Sequence, residues 1–163
     1  MITIRPIAQQ EVPVARRVIL TVAHKIYGWK RDLEEMIHIF ETNGEFADMD
    51  HIEEYYSRNN GIFLVVLDDD TIIGSGAIRR FDAETAELKR LWLLEDYHGK
   101  GIGYQVTSQL FEFSRRRGYK RIILQTSPEQ VRAIGFYKRL GFHEIDCYNG
   151  KTTEISMEMF ITT

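Results

Sequence analysis

Ile2 and Ile4 alternate with polar neighbours at the head of the chain, and this period of two predicts a short β-strand. The period then lengthens. Val12, Ala15, Ile19, Val22, Ala23 and Ile26 share one face of a helix over 10–26, and Leu33, Met36, Ile37 and Phe40 repeat the spacing over 32–41. Asp32, with Glu35 three residues on, is placed to cap the second helix. Met49, Ile52, Tyr55 and Tyr56 predict a third, short one. From residue 61 the pattern returns to strands: GIFLVVL (61–67), a turn at Asp68-Asp69-Asp70, then TIIGSGAIRRF (71–81). Gly74 and Gly76 weaken that second strand and point to a bulge or a close approach. AELKRLWLL (86–94) is the next strand. A helix follows over 102–117, with Ile102, Val106, Leu110 and Phe113 on one face. Arg115-Arg116-Arg117-Gly118 ends it, cations at the negative pole and a glycine stop. RIILQT (121–126) reads as a strand, and VRAIGFYKRLG (131–141) as a helix with Ala133, Phe136, Tyr137 and Leu140 inward and Gly141 as its stop. FHEIDCY (142–148) and TTEISMEMF (152–160) alternate as two strands joined at Asn149-Gly150, a hairpin signal. The order is therefore β, helices, β, β, β, α, β, α, β, β. It contains no repeat or linker, so a single domain over 1–163 is expected.

Composition changes this picture little. A chain that is 44% hydrophobic and 28% charged is an ordinary globular one. The lone Cys147 leaves no intramolecular disulfide and fits a reducing compartment. In the alternating run HEIDCY it reads as a half-buried filler of a strand rather than a nucleophile. The N-terminus MITIRPIAQQE lacks the apolar segment of a signal peptide, and no apolar run approaches the roughly 18 residues that cross a bilayer. A soluble, cytoplasmic protein without a membrane partner is expected. The net charge of −3 argues against wholesale nucleic-acid binding. That charge is uneven. Residues 41–70 hold nine acids and one base, Arg58, against 20 bases and 15 acids elsewhere. An acidic lobe beside a basic remainder suits a cationic ligand on one side and an anionic one on the other, or is simply a solvated face.

The stretch HGKGIG (98–103) carries the chemistry. Three glycines and a lysine sit where a strand hands over to a helix. A helix N-terminus presents unpaired N–H groups and about half a positive charge, and glycine lets backbone approach a ligand. Together they make a phosphate cradle. The nucleotide P-loop is excluded because Gly101, not Ser or Thr, follows Gly-Lys. The dinucleotide fingerprint is excluded by Val106 and by Ile122, Ile123 and Leu124 where an acid is needed.

LWLLEDYHGKGIGYQV (91–106) resembles the acyl-CoA-binding signature of the GNAT superfamily of N-acetyltransferases, and TSPEQVRAIGFYKRLGF (126–142) resembles that family's later motif. Both occur in the right order, and the element order matches over nearly the whole chain. The resemblance implies an α+β fold, an α/β/α sandwich whose mixed, mostly antiparallel sheet of six to seven strands is flanked by helices. It implies that Leu91, Trp92 and Leu93 offer strand backbone to the pantetheine arm, whose two amides pair like a short peptide. Gly99, Lys100, Gly101, Ile102, Gly103 and Tyr104 would then meet the pyrophosphate. His98 stands where the family has Arg or Gln, and Gln130 where it often has Asn; Ser127 or Arg132 are placed to share the latter role.

The implied reaction is attack of an amine on the acetyl-CoA thioester, with the carbonyl polarised by an N–H near Leu93. Glu87 stands where the family places a glutamate and is the candidate general base, with Glu84, His24 and His51 as weaker ones. Tyr137 matches the family's tyrosine and is the candidate acid, its phenol protonating the leaving thiolate. No metal is expected, since His and Cys show no ligand spacing. Residues 20–58 fall where the resemblance puts the acceptor-side cover. There Tyr27, Trp29, Glu34 and Tyr55 are the candidate substrate contacts, and the acidic lobe suggests a cationic small molecule or peptide amine. A homodimer through the edges of the last hairpin is an open expectation. The alternative to an N-acetyltransferase is a non-catalytic acyl-CoA-binding sensor built on the same cradle.

Overall fold

Seven strands form one sheet in the order β1-β2-β3-β4-β5-β7-β6 in the computed structural model, which describes residues 1–162. They are β1 (Ile2–Pro6), β2 (Ile62–Asp68), β3 (Thr71–Arg80), β4 (Thr85–Leu93), β5 (Arg121–Thr126), β6 (His143–Ile145) and β7 (Ile155–Phe160). Every neighbouring pair is antiparallel except β4 with β5. On one face lie α1 (Val12–Tyr27), α2 (Leu33–Thr42), α3 (Ala47–Asp50) and α4 (Ile52–Tyr55). On the other lie α5 (Ile102–Arg116) and α6 (Val131–Leu140). This is the expected sandwich.

Alternation in the strands explains the two cores. Phe63, Val65, Leu67 and Ala77 face α1, packing on Ala15, Ile19 and Leu20. Leu64, Val66, Ile78 and Leu88 face the other way, onto Val106 and Leu110 of α5 and Tyr137 of α6. A sheet buried on both faces needs near-continuous apolar strands, which is why β2 reads IFLVVL rather than as a clean alternation. The predicted cap of α2 is made: the Glu35 N–H donates to Asp32 Oδ1 at 2.9 Å.

Two irregularities shape the middle of the sheet. Ser75 pairs with Trp92 but Ala77 pairs with Lys89, so β4 carries one extra residue opposite Gly76. Arg90 takes up that bulge with φ +56°, in the left-handed region. A Cβ on Gly76 would lie 2.9 Å from Val106 Cγ1, so the second strand glycine is the close approach of α5 to the sheet. The second irregularity is a parting of strands. β4 and β5 pair only from Thr85 to Glu87 against Arg121 to Ile123, although both run on. Past Glu87 a seam opens between them.

Three expectations need correction. The third short helix is two single turns, α3 and α4, broken at His51 with ψ 78°. The last two strands are shorter than their alternation suggested, and Asn149-Gly150 does not form a tight hairpin. Such a turn would oppose Tyr148 and Lys151; instead Ile145 opposes Ser156, and residues 146–154 form a longer connection. The side chain of Asn149 explains this. It exchanges two hydrogen bonds of 2.6 Å with the Gln125 amide on β5, which draws the connection across the sheet. Cys147 therefore lies in that connection, half-buried, rather than in a strand.

Candidate active site

Where β4 and β5 part, a cleft of about 1360 Å³ opens between β4, the start of α5, α6 and the end of α1. Leu91, Trp92 and Leu93 line it, as the strand-backbone expectation requires. The Leu94 N–H donates to the Ile73 carbonyl on β3 at 2.9 Å. Main-chain groups alternate sides along a strand, so those of Leu93 and Leu91 turn from β3 toward the seam. The imidazole Nε2 of His98 lies 2.9 Å from the Leu93 carbonyl oxygen and donates to it in the tautomer protonated at Nε2. His98 thus ties the glycine loop to the end of β4.

The loop itself is built by its glycines. Gly101 is the N-cap of α5 with φ +80°, and a Cβ there would meet nothing within 4 Å. Its conformation demands glycine and its surroundings leave room for a ligand. Gly99, at φ +77°, is alike. Gly103 serves differently: a Cβ on it would sit 3.4 Å from Phe136 Cζ, so it lets α5 lie against α6. The first backbone bond of α5 runs from the Gln105 N–H to the Gly101 carbonyl, 3.1 Å, leaving the N–H groups of Ile102, Gly103 and Tyr104 without intrahelical partners. Lys100 does not line the cleft; its Nζ stands 5.5 Å from the ring centre of Tyr97. Tyr104 and Arg132 stand at the cleft's edge.

Tyr137 is 7% exposed and lines the cleft. Burial alone pushes its phenol well above the ordinary tyrosine range, so the hydroxyl keeps its proton at neutral pH. Glu87 is placed differently from a bare base. Arg79 Nε donates to its Oε1 at 3.0 Å and the Tyr148 hydroxyl to its Oε2 at 2.5 Å. The carboxylate lies on the α1 side of the sheet, outside the lining of the cleft. Of the weaker bases, His24 bonds the Arg31 carbonyl at 2.7 Å and Glu84 pairs with Lys120 at 3.0 Å. His51 is exposed at the break between α3 and α4.

The acceptor-side candidates divide. The Tyr27 hydroxyl shares a 2.5 Å hydrogen bond with Ser127 Oγ and accepts one from Gln130 Nε2 at 3.1 Å. These bonds bridge the end of α1 to the connection after β5. Trp29 stacks on Tyr27 with ring centres 5.5 Å apart. Tyr55 lies under Lys89, whose Nζ is 3.4 Å from its hydroxyl. None of these three aromatic residues lines the cleft, and neither does Glu34, which stands exposed on α2, bonded to Arg17 Nη1 at 2.7 Å. The acids of the lobe are mostly paired: Glu41 and Asp50 with Arg16, Asp48 with Arg90, Glu53 with Arg58, and Asp68 and Asp69 with the N-terminal amine.

Arg90, Asp48 and Tyr148 were not singled out by the sequence. Arg90 carries no glycine signal for its left-handed backbone, and Tyr148 reaches Glu87 only through the unforeseen path of residues 146–154. Among the described residues no three of His, Cys, Asp and Glu gather as a metal site, and no helix is long and apolar enough to cross a membrane.

A sequence model of the acetyltransferase (GNAT) family matches residues 26–142. Over 158 residues the chain is 27% identical to the uncharacterized N-acetyltransferase YjgM of Escherichia coli (strain K12), covering 95% of this chain and 90% of that protein. It is 31% identical over 101 residues to N-acetylaspartate synthetase of Xenopus tropicalis, covering 61% of this chain but 37% of that longer protein. Among solved structures, an acetyltransferase of the GNAT family from Staphylococcus aureus Mu50 superposes with TM-score 0.83 at 18% identity, over 99% of this chain and 100% of that one. The PaiA N-acetyltransferase of Thermoplasma acidophilum, solved in complex with coenzyme A, superposes with TM-score 0.80 at 21% identity over 99% of both chains.

Proposed function

The chain belongs to the acetyltransferase (GNAT) family, and on that premise we propose that its cleft takes acetyl-CoA and that the protein moves the acetyl group to a primary amine. One observation carries this reading. The strand backbone at Leu91 and Leu93 and the open N-terminus of α5 border the same cleft, offering strand-like pairing for pantetheine amides beside a cradle for a diphosphate.

The residues then divide the work. N–H groups of Ile102, Gly103 and Tyr104 hold the diphosphate, with Arg132 nearby. The Leu93 N–H polarises the thioester carbonyl. The amine nitrogen attacks the carbonyl carbon, the C–S bond breaks, and Tyr137 gives its phenol proton to the departing sulfur. The amine's own proton passes through water to Glu87, because that carboxylate stands outside the cleft and both its oxygens are already hydrogen-bonded. Arg79 keeps Glu87 in place for this role.

The acceptor approaches over Tyr27, Trp29 and Tyr55, on the α1 side of the sheet. A small cationic molecule or a peptide amine fits the acidity left over in the lobe. Among the described residues, Glu45, Glu54 and Asp70 make no ion pair there.

The test is a calorimetric titration with coenzyme A together with thiol release from acetyl-CoA across a panel of amines. Binding with turnover on at least one amine is expected. Well-folded protein that ignores millimolar coenzyme A would sink the reading, and binding without turnover on every amine would replace the enzyme by a sensor.

A further inference from the structure

Arg90 sits in the bulge of β4, one residue before Leu91, with φ +56°. An arginine in that conformation is strained by roughly 1 kcal/mol or more, and such strain persists only where the surroundings over-determine it. Here they do. Arg90 Nη2 donates to Asp48 Oδ1 and to the Glu45 carbonyl, each at 2.6 Å, and Nε donates to Asp48 Oδ2 at 3.1 Å. The guanidinium lies 5.2 Å from the ring centre of Phe46. Ser75 Oγ donates to the Arg90 carbonyl at 2.7 Å, fixing the backbone from β3. Asp48 is 6% exposed and also accepts from the Tyr56 hydroxyl at 2.5 Å.

Burial, the largest influence on Asp48, pushes its carboxyl up; the Arg90 guanidinium, with Lys89 and Tyr56, outweighs it and brings the group below its ordinary value. The pair is therefore ionised, and both carboxylate oxygens of Asp48 are held by Arg90 through Nε and Nη2. A hydrophobic pair of the same size would pack as well or better. What packing alone would not do is hold a non-glycine residue left-handed at this one position.

We infer that Arg90 is a positioning residue: clamped by Asp48 and Ser75, it holds the bulge that aims the Leu91 and Leu93 amides into the cleft. The inference rests on the reading that those amides receive the thioester and the pantetheine arm. It also makes the short helix α3, which carries Asp48, a part of the apparatus that sets the reaction geometry.

Glycine adopts a left-handed backbone unaided and alanine does not. Asp48→Asn removes the buried anion, so D48N/R90G and D48N/R90A lack the same charges and differ in backbone preference. With both folded, judged by circular dichroism and melting, kcat of D48N/R90A should fall about tenfold below that of D48N/R90G, at similar KM for the amine. In protein labelled with [15N]leucine, the Leu91 and Leu93 amide resonances should keep their wild-type positions in D48N/R90G and move in D48N/R90A. Equal kcat and equal spectra in the two variants would overturn the inference. Should the double variants fail to fold, Ser75→Ala removes only the bond to the Arg90 carbonyl and should shift the same two resonances; unmoved resonances there overturn it too. A wild-type protein that acetylates no amine would defeat the acetyltransferase reading instead, and the resonances would still judge the clamp.

Discussion

The Tyr137 hydroxyl has no partner among the described residues, yet it is not enclosed as the unpartnered Arg16 Nε and Thr126 Oγ1 are, so it opens on the cleft that its side chain lines. Its partner is then expected to be the ligand. Tyr137→Phe should lower kcat by about 10- to 100-fold. It should leave the dissociation constant for coenzyme A within about twofold, and the variant should melt no lower than wild type, since it loses no internal bond. Steady-state kinetics, calorimetry and a thermal melt read these out, and undiminished kcat would remove the acid role. Glu11 offers a contrasting case. The Arg5 guanidinium beside it, then the Ala8 N–H, hold its carboxyl down at about 2 from an ordinary 4.5. A depressed carboxyl stabilises the fold above the unfolded value and loses that contribution as pH falls through the folded one. Glu11→Gln should therefore be less stable than wild type at pH 7, and the gap should close as pH falls from about 4.5 toward 2 in urea melts.

Elements were legible wherever one local rule governed them. The helix over α5 follows from its apolar spacing, its glycine start and its arginine end, and all three are seen. The cap of α2 follows from Asp32 and Glu35; Asp32→Ala should cost about 1 kcal/mol in a denaturant melt. The start of α5 should be equally sensitive in another way. Gly101→Asp forces a side chain into the left-handed cap and sets a carboxylate against the diphosphate, so coenzyme A binding should vanish in calorimetry while the fold persists. Elements were illegible where a distant side chain overrode the local rule. Asn149-Gly150 is a strong hairpin signal, yet the Gln125 amide, 24 residues away in sequence, takes Asn149 for itself. Arg90 is bulged although its own run, LKRLWL, reads as an unbroken strand; the cause is Asp48, 42 residues earlier.

At the scale of the molecule, element order and patterning were enough for the layered architecture, and the two motifs for the cleft's walls. They did not reveal that the acidic lobe is largely an internal ion-pairing surface. Composition counts charges, and only folding shows that Arg16 and Arg90 lie among those acids. Nor could spacing show Glu87 held between Arg79 and Tyr148, from β3 and from the connection before β7. The parted strands β4 and β5 carry one more consequence. A ligand that binds the folded form alone raises stability by RT ln(1 + [L]/Kd), so the melting temperature should climb with the logarithm of coenzyme A concentration. Hydrogen exchange at Leu91 and Leu93 should slow in step. A protein left empty is in effect a garment with one seam unsewn. In a starved cell, copies lacking the acyl donor are expected to gape there first and to meet proteases sooner, tying the enzyme's lifetime to the supply of what it consumes.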